Sequence, residues 1–305
     1  MKLSLFDLHC DTAYEMLRQE QELIDNHLAV SLNKAHPFDR YAQVMAFWTN
    51  SNLSDEDGWN AYLRMYEHLL QDRSVKNKRI AIAKEFLDHF PSMILAIEDA
   101  RILCGCLDRV DRMWDMGIRF LTPLWKGETA IGGSHDTEKG LTSFGKSAIQ
   151  RALEKGMVVD ISHASEQSSY EMLALGAELH SPIIATHSNA HDICPVSRNL
   201  RRWQAQAILQ CGGVVGLNLY PLFLKSNGDA HIEDILPHVE YFLELGFEQN
   251  LCLGCDMDGA TLPPEISDLS DLTKLAELML SRNYSENLVN SIFFENAYQF
   301  SQKLK

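Results

Sequence analysis

Positive charge is scarce in this chain: 27 Lys and Arg stand against 42 Asp and Glu, a net −15 over 305 residues. That balance argues against a nucleic-acid or anionic-membrane partner, because phosphate surfaces repel it. No apolar run approaches the ~20 residues of a membrane-spanning helix. Asp7 and His9 break the apolar start before it could act as a signal segment. A cytoplasmic protein without a membrane anchor is therefore expected. The seven cysteines are an odd number with no dense framework, so free thiols in a reducing compartment are expected. Cys104-Gly-Cys106 has no second Cys or His pair at structural-zinc spacing and is set aside as a metal pair. No Pro/Ser-rich linker and no low-complexity tract divides the chain, so residues 1–305 are read as one domain.

What is present is an alternation of short apolar runs with helical patches. The runs are Leu3–Cys10, Gln43–Trp48, Met93–Ile97, Ile118–Thr122, Met157–Ile161, Pro182–Ala185, Val214–Leu217 and Leu251–Leu253. Helical spacing is seen over 13–22, 62–70 (with Asp55 or Asp57 as cap), 101–116, 146–155, 166–179, 203–210, 232–245, 272–281 and 285–302. Strand–helix alternation predicts a parallel sheet. Eight units in one domain predict a (β/α)8 TIM barrel. The alternative, a doubly wound open sheet, lacks its Gly-x-Gly-x-x-Gly turn after the first strand. The Gly-bearing segment 126–145 is long for a connection, which marks it as functional or mobile.

Barrel chemistry gathers at the C-terminal strand ends. Here the first strand ends in His9 and Asp11, the third in Glu98, the fifth in His163, the sixth in His187 and the eighth in Asp256. Residues two apart on a strand share a face, so His9 and Asp11 point together. Taken singly, each could be a capped or solvated side chain, and Asp258 rivals Asp256. The joint coincidence points to a metal site. Three imidazoles and two carboxylates are too many for one tetrahedral zinc. They suit two ions sharing Glu98, with Asp256 left over for proton transfer in a hydrolysis. Asp160, inside the fifth strand, reads as a structural carboxylate. His231-Ile-Glu233 and His238-Val-Glu240 sit in helical sequence and read as solvated faces.

Several stretches together resemble the membrane (renal) dipeptidase family, peptidase family M19, whose members are dinuclear-zinc dipeptidases of the amidohydrolase-type barrels. They are Asp7-Leu-His-Cys-Asp11, Ala96-Ile-Glu98, 117–122, 140–145, Val159-Asp-Ile-Ser-His163, Thr186-His-Ser-Asn-Ala190, Ser197-Arg-Asn199 and Gly254-Cys-Asp-Met-Asp-Gly259. The resemblance implies two Zn2+ per chain, bridged by Glu98 and a water or hydroxide. It places His9, Asp11 and Glu98 on one ion, and Glu98, His163 and His187 on the other. Asp256 would then handle the proton. Arg198 would grip the C-terminal carboxylate of a dipeptide, a task suited to a planar guanidinium fork. The resemblance extends to substrates with a C-terminal D-residue and to a homodimer.

One position departs from the family. Its substrate-binding His follows the fourth strand in a Leu-Thr-x-Thr-His context, whereas Leu121-Thr-Pro-Leu-Trp125 puts Trp125 there. Either the Trp125 indole N–H substitutes, or His135 reaches in from the Gly-bearing segment, or the substrate differs, or Trp125 simply packs a pocket wall. Two other readings therefore stand beside the dipeptidase. One is a related metal hydrolase acting on a cyclic amide, lactone or N-acyl amino acid. The other is a non-catalytic metal- or ligand-binding relative.

Overall fold

The computed structural model describes residues 2–84, 87 and 89–303. Its strands are β1 Leu5–Cys10, β2 Tyr41–Trp48, β3 Ala81–Ile82, β4 Ser92–Glu98, β5 Ile118–Thr122, β6 Val158–Asp160, β7 Ile183–Ile184, β8 Val215–Leu217 and β9 Leu251–Leu253. The order β7-β6-β5-β4-β2-β1-β9-β8 is parallel at every pairing. Ala185, just past β7, bridges Val215 in parallel, and the Gly216 N–H donates to its carbonyl at 2.8 Å, which closes the ring. The result is the TIM barrel expected from the alternation. The short β3, unmarked by the sequence, pairs with Ser92 and Met93 of β4. Two residues carry too little pattern to register as a strand.

Alternation along each strand sorts side chains into two apolar layers. Phe6, Leu8, Val44, Ile94, Phe120, Val158, Ile184 and Cys252 fill the interior, and Phe294, Ala297 and Phe300 of the C-terminal segment join them at the mouth opposite the strand ends. The other face of the same strands, including Leu5, Met45, Leu95, Ile118 and Val159, packs on the surrounding helices. Each such fully buried Leu, Ile or Phe contributes about 1.5–3 kcal/mol relative to exposure. At the upper rim only glycine fits: a Cβ on Gly254 would lie 1.7 Å from the Thr186 carbonyl oxygen.

Three long helical patches prove to be interrupted. Residues 101–116 split into a 3-10 turn at Ala100–Leu103 and a helix at Asp108–Asp115, because Cys104 and Gly105 both adopt positive φ. Residues 232–245 pass from a 3-10 turn, Ile232–Ile235, to an α-helix that starts at Leu236 with Pro237 in its first turn, and 285–302 carries a π-turn at Ser291–Glu295. The 62–70 helix begins earlier, at Asp55, and Ser54 caps it by accepting from the Asp57 N–H at 3.2 Å. Asp55 and Asp57 occupy its first turn instead, where carboxylates suit the helix dipole.

Candidate metal centre and active site

The strand-end residues meet at one mouth of the barrel. β1 delivers the first two through an irregularity. Asp7 pairs with Gln43 and Cys10 with Met45, so three steps on β1 face two on β2. A bulge of this kind re-aims side chains. Asp7 and Cys10 match outward-facing β2 partners, while His9 turns inward with Asp11. Asp7 is not idle there: its Oδ1 accepts the Cys255 N–H at 2.7 Å and its Oδ2 the Gln43 amide at 2.9 Å, which fixes the backbone next to Asp256.

Glu98 ends β4 and faces both halves of the cluster. Its Oε1 lies 2.9 Å from His163 Nε2 and 3.5 Å from His187 Nε2, and its Oε2 lies 3.5 Å from His9 Nε2. His9 Nε2 is also 3.5 Å from Asp11 Oδ2 and 3.9 Å from Asp256 Oδ1. His9, Glu98 and His187 form one group with ligand atoms within 4.8 Å of each other, and His9, Asp11 and Asp256 form another. The distances thus join all six residues but divide them differently from the family pattern, with His9 shared between the groups. His163 and Asp256 hold positive φ, 69° and 61°, a conformation that non-glycine residues adopt mainly where the surroundings enforce it.

The donor set fits a cation. His163 Nδ1 meets the Trp125 carbonyl at 3.1 Å, so that nitrogen carries the hydrogen and Nε2 keeps a lone pair. Thr186 gives its hydroxyl hydrogen to Asp160, so it accepts from His187 Nδ1 at 2.7 Å, and His187 Nε2 is likewise a lone pair. The two Nε2 atoms stand 3.0 Å apart, an arrangement that a positive ion relieves. Among the described residues, His9 Nε2 and Asp11 Oδ1 are buried without a hydrogen-bond partner, as metal ligands would be. Burial and the nearby Glu98 charge push the Asp11 carboxyl up. Burial also raises Glu98, but the imidazoles facing it, His9 first, outweigh that and hold the group well below the usual range. Burial, with the Arg198 charge, pushes His163 down to about 3.

A cavity of about 670 Å³ opens over the cluster, lined among others by Tyr14, Trp48, Trp125, His135, Arg198 and Asp256. Arg198 is 4% exposed, donates to Ser188 Oγ at 3.2 Å and to the His187 carbonyl at 3.3 Å, and lies over the Phe223 ring. Its Nε–H has no partner among the described residues. Burial lowers its pKa to about 10, still charged at neutral pH. Arg198 is thus a buried charge facing the cavity, not a surface one. Trp125 packs edge-on against Trp48 at 5.1 Å, and Trp48 likewise against Tyr14 at 5.0 Å, so its ring forms part of an aromatic wall. His135 also reaches the cavity; its backbone N–H donates to the His163 carbonyl at 2.7 Å and its Nδ1 meets Ser197 Oγ at 3.0 Å. Burial and Arg198 push its imidazole down to about 4. The long Gly-bearing segment is tied down by bridges Glu128–Gly133, Gly132–Leu141 and Ser134–Ala164.

Other sequence readings resolve as follows. Asp258 is structural, accepting from Thr12 Oγ1 and the Ala29 and Val30 N–H groups. Asp160 is structural too, held by Thr122, Ser162 and Thr186. Cys104 and Cys106 are free thiols. His231 is solvated, but His238 is not: it is fully buried, accepting from the Ala190 N–H at 3.1 Å and donating to the Leu224 carbonyl at 3.1 Å. Helical spacing alone put it on the wrong face. The residue that sequence reasoning missed is Asn218, directly after β8, whose side-chain amide donates to Asp256 Oδ2 at 2.9 Å. Its only signal was position: it is the polar residue at the one late strand end left without a candidate.

Comparison with known proteins bears on this geometry. Residues 1–304 match the family described as membrane dipeptidase (peptidase family M19). A solved metallo peptidase, dipeptidase AC of family M19, superposes with a TM-score of 0.91 at 27% identity, over 100% of this chain and 99% of that one. A metallo peptidase from Rhodobacter sphaeroides, solved with a phosphinate mimic of the dipeptide L-Ala-D-Ala, superposes with a TM-score of 0.91 at 26% identity, over 100% of both chains. An uncharacterized Klebsiella pneumoniae protein from the pqqA 5' region is 32% identical over 221 residues, 68% of this chain and 80% of its own length. No helix among the described residues is long and apolar enough to cross a membrane, whatever the family's name. With the family match running along the whole barrel and the strand-end cluster in place, this chain belongs to the membrane dipeptidase family, peptidase family M19, and is a metal-dependent dipeptidase.

Proposed function

We propose that the protein is a zinc dipeptidase with two ions bound across Glu98, His9 and Asp11 serving one and His163 and His187 the other. The observation that carries this is the split of the Glu98 carboxylate, Oε1 toward His163 and His187 and Oε2 toward His9. Bound there, a zinc pair would polarise the scissile carbonyl and acidify water. Arg198 binds and orients the substrate through its terminal carboxylate; burial strengthens that ion pair and its unpartnered Nε–H supports the role. Asp256 takes a proton from the attacking water and hands it to the leaving nitrogen. Trp125 and Trp48 exclude water from one wall of the cavity. The dipeptide mimic bound by the Rhodobacter sphaeroides relative supports extending the substrates to those with a C-terminal D-residue.

A panel of dipeptides, their C-terminal amides and N-acyl amino acids tests this reading. The free dipeptides are expected to be cleaved and their amides spared. Arg198→Ala is expected to lose that preference, with kcat/KM falling roughly 30-fold or more, since a buried charge-assisted contact is worth about 2–5 kcal/mol. Equal cleavage of amides by the unaltered enzyme would contradict the Arg198 assignment.

A further inference from the structure

We infer that Asn218, clasped by Asn189, is the positioning residue that aims Asp256 for the proton transfer. The inference rests on the proposed role of Asp256. The geometry begins with a carboxylate on a strained turn: Asp256 holds φ of 61° just after β9, its backbone N–H donating to the His9 carbonyl at 3.2 Å and its carbonyl accepting the Ala260 N–H at 3.0 Å. Its Oδ2 takes the Asn218 amide at 2.9 Å, while its Oδ1 faces His9 Nε2 at 3.9 Å. One oxygen is therefore tied back and the other left toward the cluster. A carboxylate held by one oxygen cannot spin about its last bond, so its free oxygen stays where a reacting proton would be.

Asn218 is itself fixed at every polar atom. Its backbone N–H donates to Asn189 Oδ1 at 3.0 Å, and Asn189 Nδ2 returns the bond to the Asn218 carbonyl at 2.8 Å. The Asn218 Oδ1 accepts the Tyr220 N–H at 2.7 Å, which forces its NH2 group, not its oxygen, toward Asp256. The same NH2 group reaches the His187 carbonyl at 3.3 Å. Both asparagines are fully buried. Asn189 sits two residues after His187 and one after Ser188, which holds Arg198. The segment Thr186–Ala190 thus sets the imidazole, the guanidinium and, through Asn218, the carboxylate in one frame. Aspartate or leucine at 218 keeps the branched heavy-atom skeleton of asparagine but removes the NH2 donor.

The test is kinetic and uses the metal-loaded enzyme. Asn218→Asp keeps an acceptor for the Tyr220 N–H but replaces the NH2 group, with its bonds to Asp256 and the His187 carbonyl, by a carboxylate oxygen facing Asp256; Asn218→Leu removes acceptor and donor without adding charge. Both variants are expected to lower kcat roughly 10–100-fold, the usual scale for a residue that orients a reacting group, with KM within about twofold, because Arg198 is untouched. Asn189→Asp, which keeps the acceptor for the Asn218 N–H, is expected to lose less. Metal content and Tm of each variant, read alongside, separate orientation from collapse. A fall in kcat confined to variants that also lose metal or melt early would overturn the inference, as would unchanged kcat in Asn218→Leu, which can donate nothing to Asp256. Asp256→Asn runs in parallel: near-normal turnover there would instead overturn the proton-transfer role of Asp256 itself, a separate failure.

Discussion

Glu98 presents one carboxylate oxygen to two imidazoles and the other to a third, and at the scale of single residues that is what separates a shared centre from two unrelated sites. His163 belongs to one side only. His163→Ala is therefore expected to reduce bound metal from two toward one per chain, as measured by elemental analysis of dialysed protein; an unchanged ratio would remove His163 from the ligand set. The residues that gather in this cluster stood out in the sequence because each is a metal-type side chain placed where an apolar run stops. Asn218 was not, because an amide after a strand has many ordinary uses, and its partner Asp256 lies far along the chain. Trp125 was legible as a departure but not as a structure. Its packing on Trp48 and the use of its carbonyl by His163 are tertiary facts.

Among elements, the helix Leu236–Glu244 is tied to the site-bearing segment by one imidazole. His238 accepts from the Ala190 N–H and donates to the Leu224 carbonyl, so only its neutral form satisfies both bonds. Burial accordingly pushes its pKa down to about 4. The unfolded chain, with His near 6.5, binds the proton more readily, so stability from this group is full above that pH and is lost as pH falls toward 4. Between pH 7 and pH 5 the loss from this group is about 2 kcal/mol. By urea unfolding at both pH values, the wild type is expected to lose about 2 kcal/mol more than His238→Gln between them; equal losses would contradict it. Strand identity was readable from β-branched and aromatic runs. The bulge in β1, the break at Cys104-Gly105 and the π-turn at 291–295 were not, since none changes the hydrophobic pattern by more than one residue.

The barrel as a whole brings residues from positions 9 to 256 to one mouth, and its ring is closed at the rim nearest His187. Eight-fold alternation carried that architecture in the sequence, because a parallel barrel needs little beyond strand, helix and glycine at the crowded crossings. Metal binding to such a preformed cluster stabilises the folded chain by linkage. At free metal 100–1,000 times Kd the gain is about 3–4 kcal/mol, so chelation is expected to lower Tm by several degrees, which calorimetry with and without zinc would measure. A Tm indifferent to metal would mean that the cluster binds none tightly.

The most direct measurement is a crystal of zinc-loaded protein with anomalous differences collected above and below the zinc edge. Two peaks about 3.5–4 Å apart, one beside His9 and Asp11 and the other beside His163 and His187 with Glu98 between, are the predicted result. A single peak, or a pair that does not touch Glu98, would contradict the account.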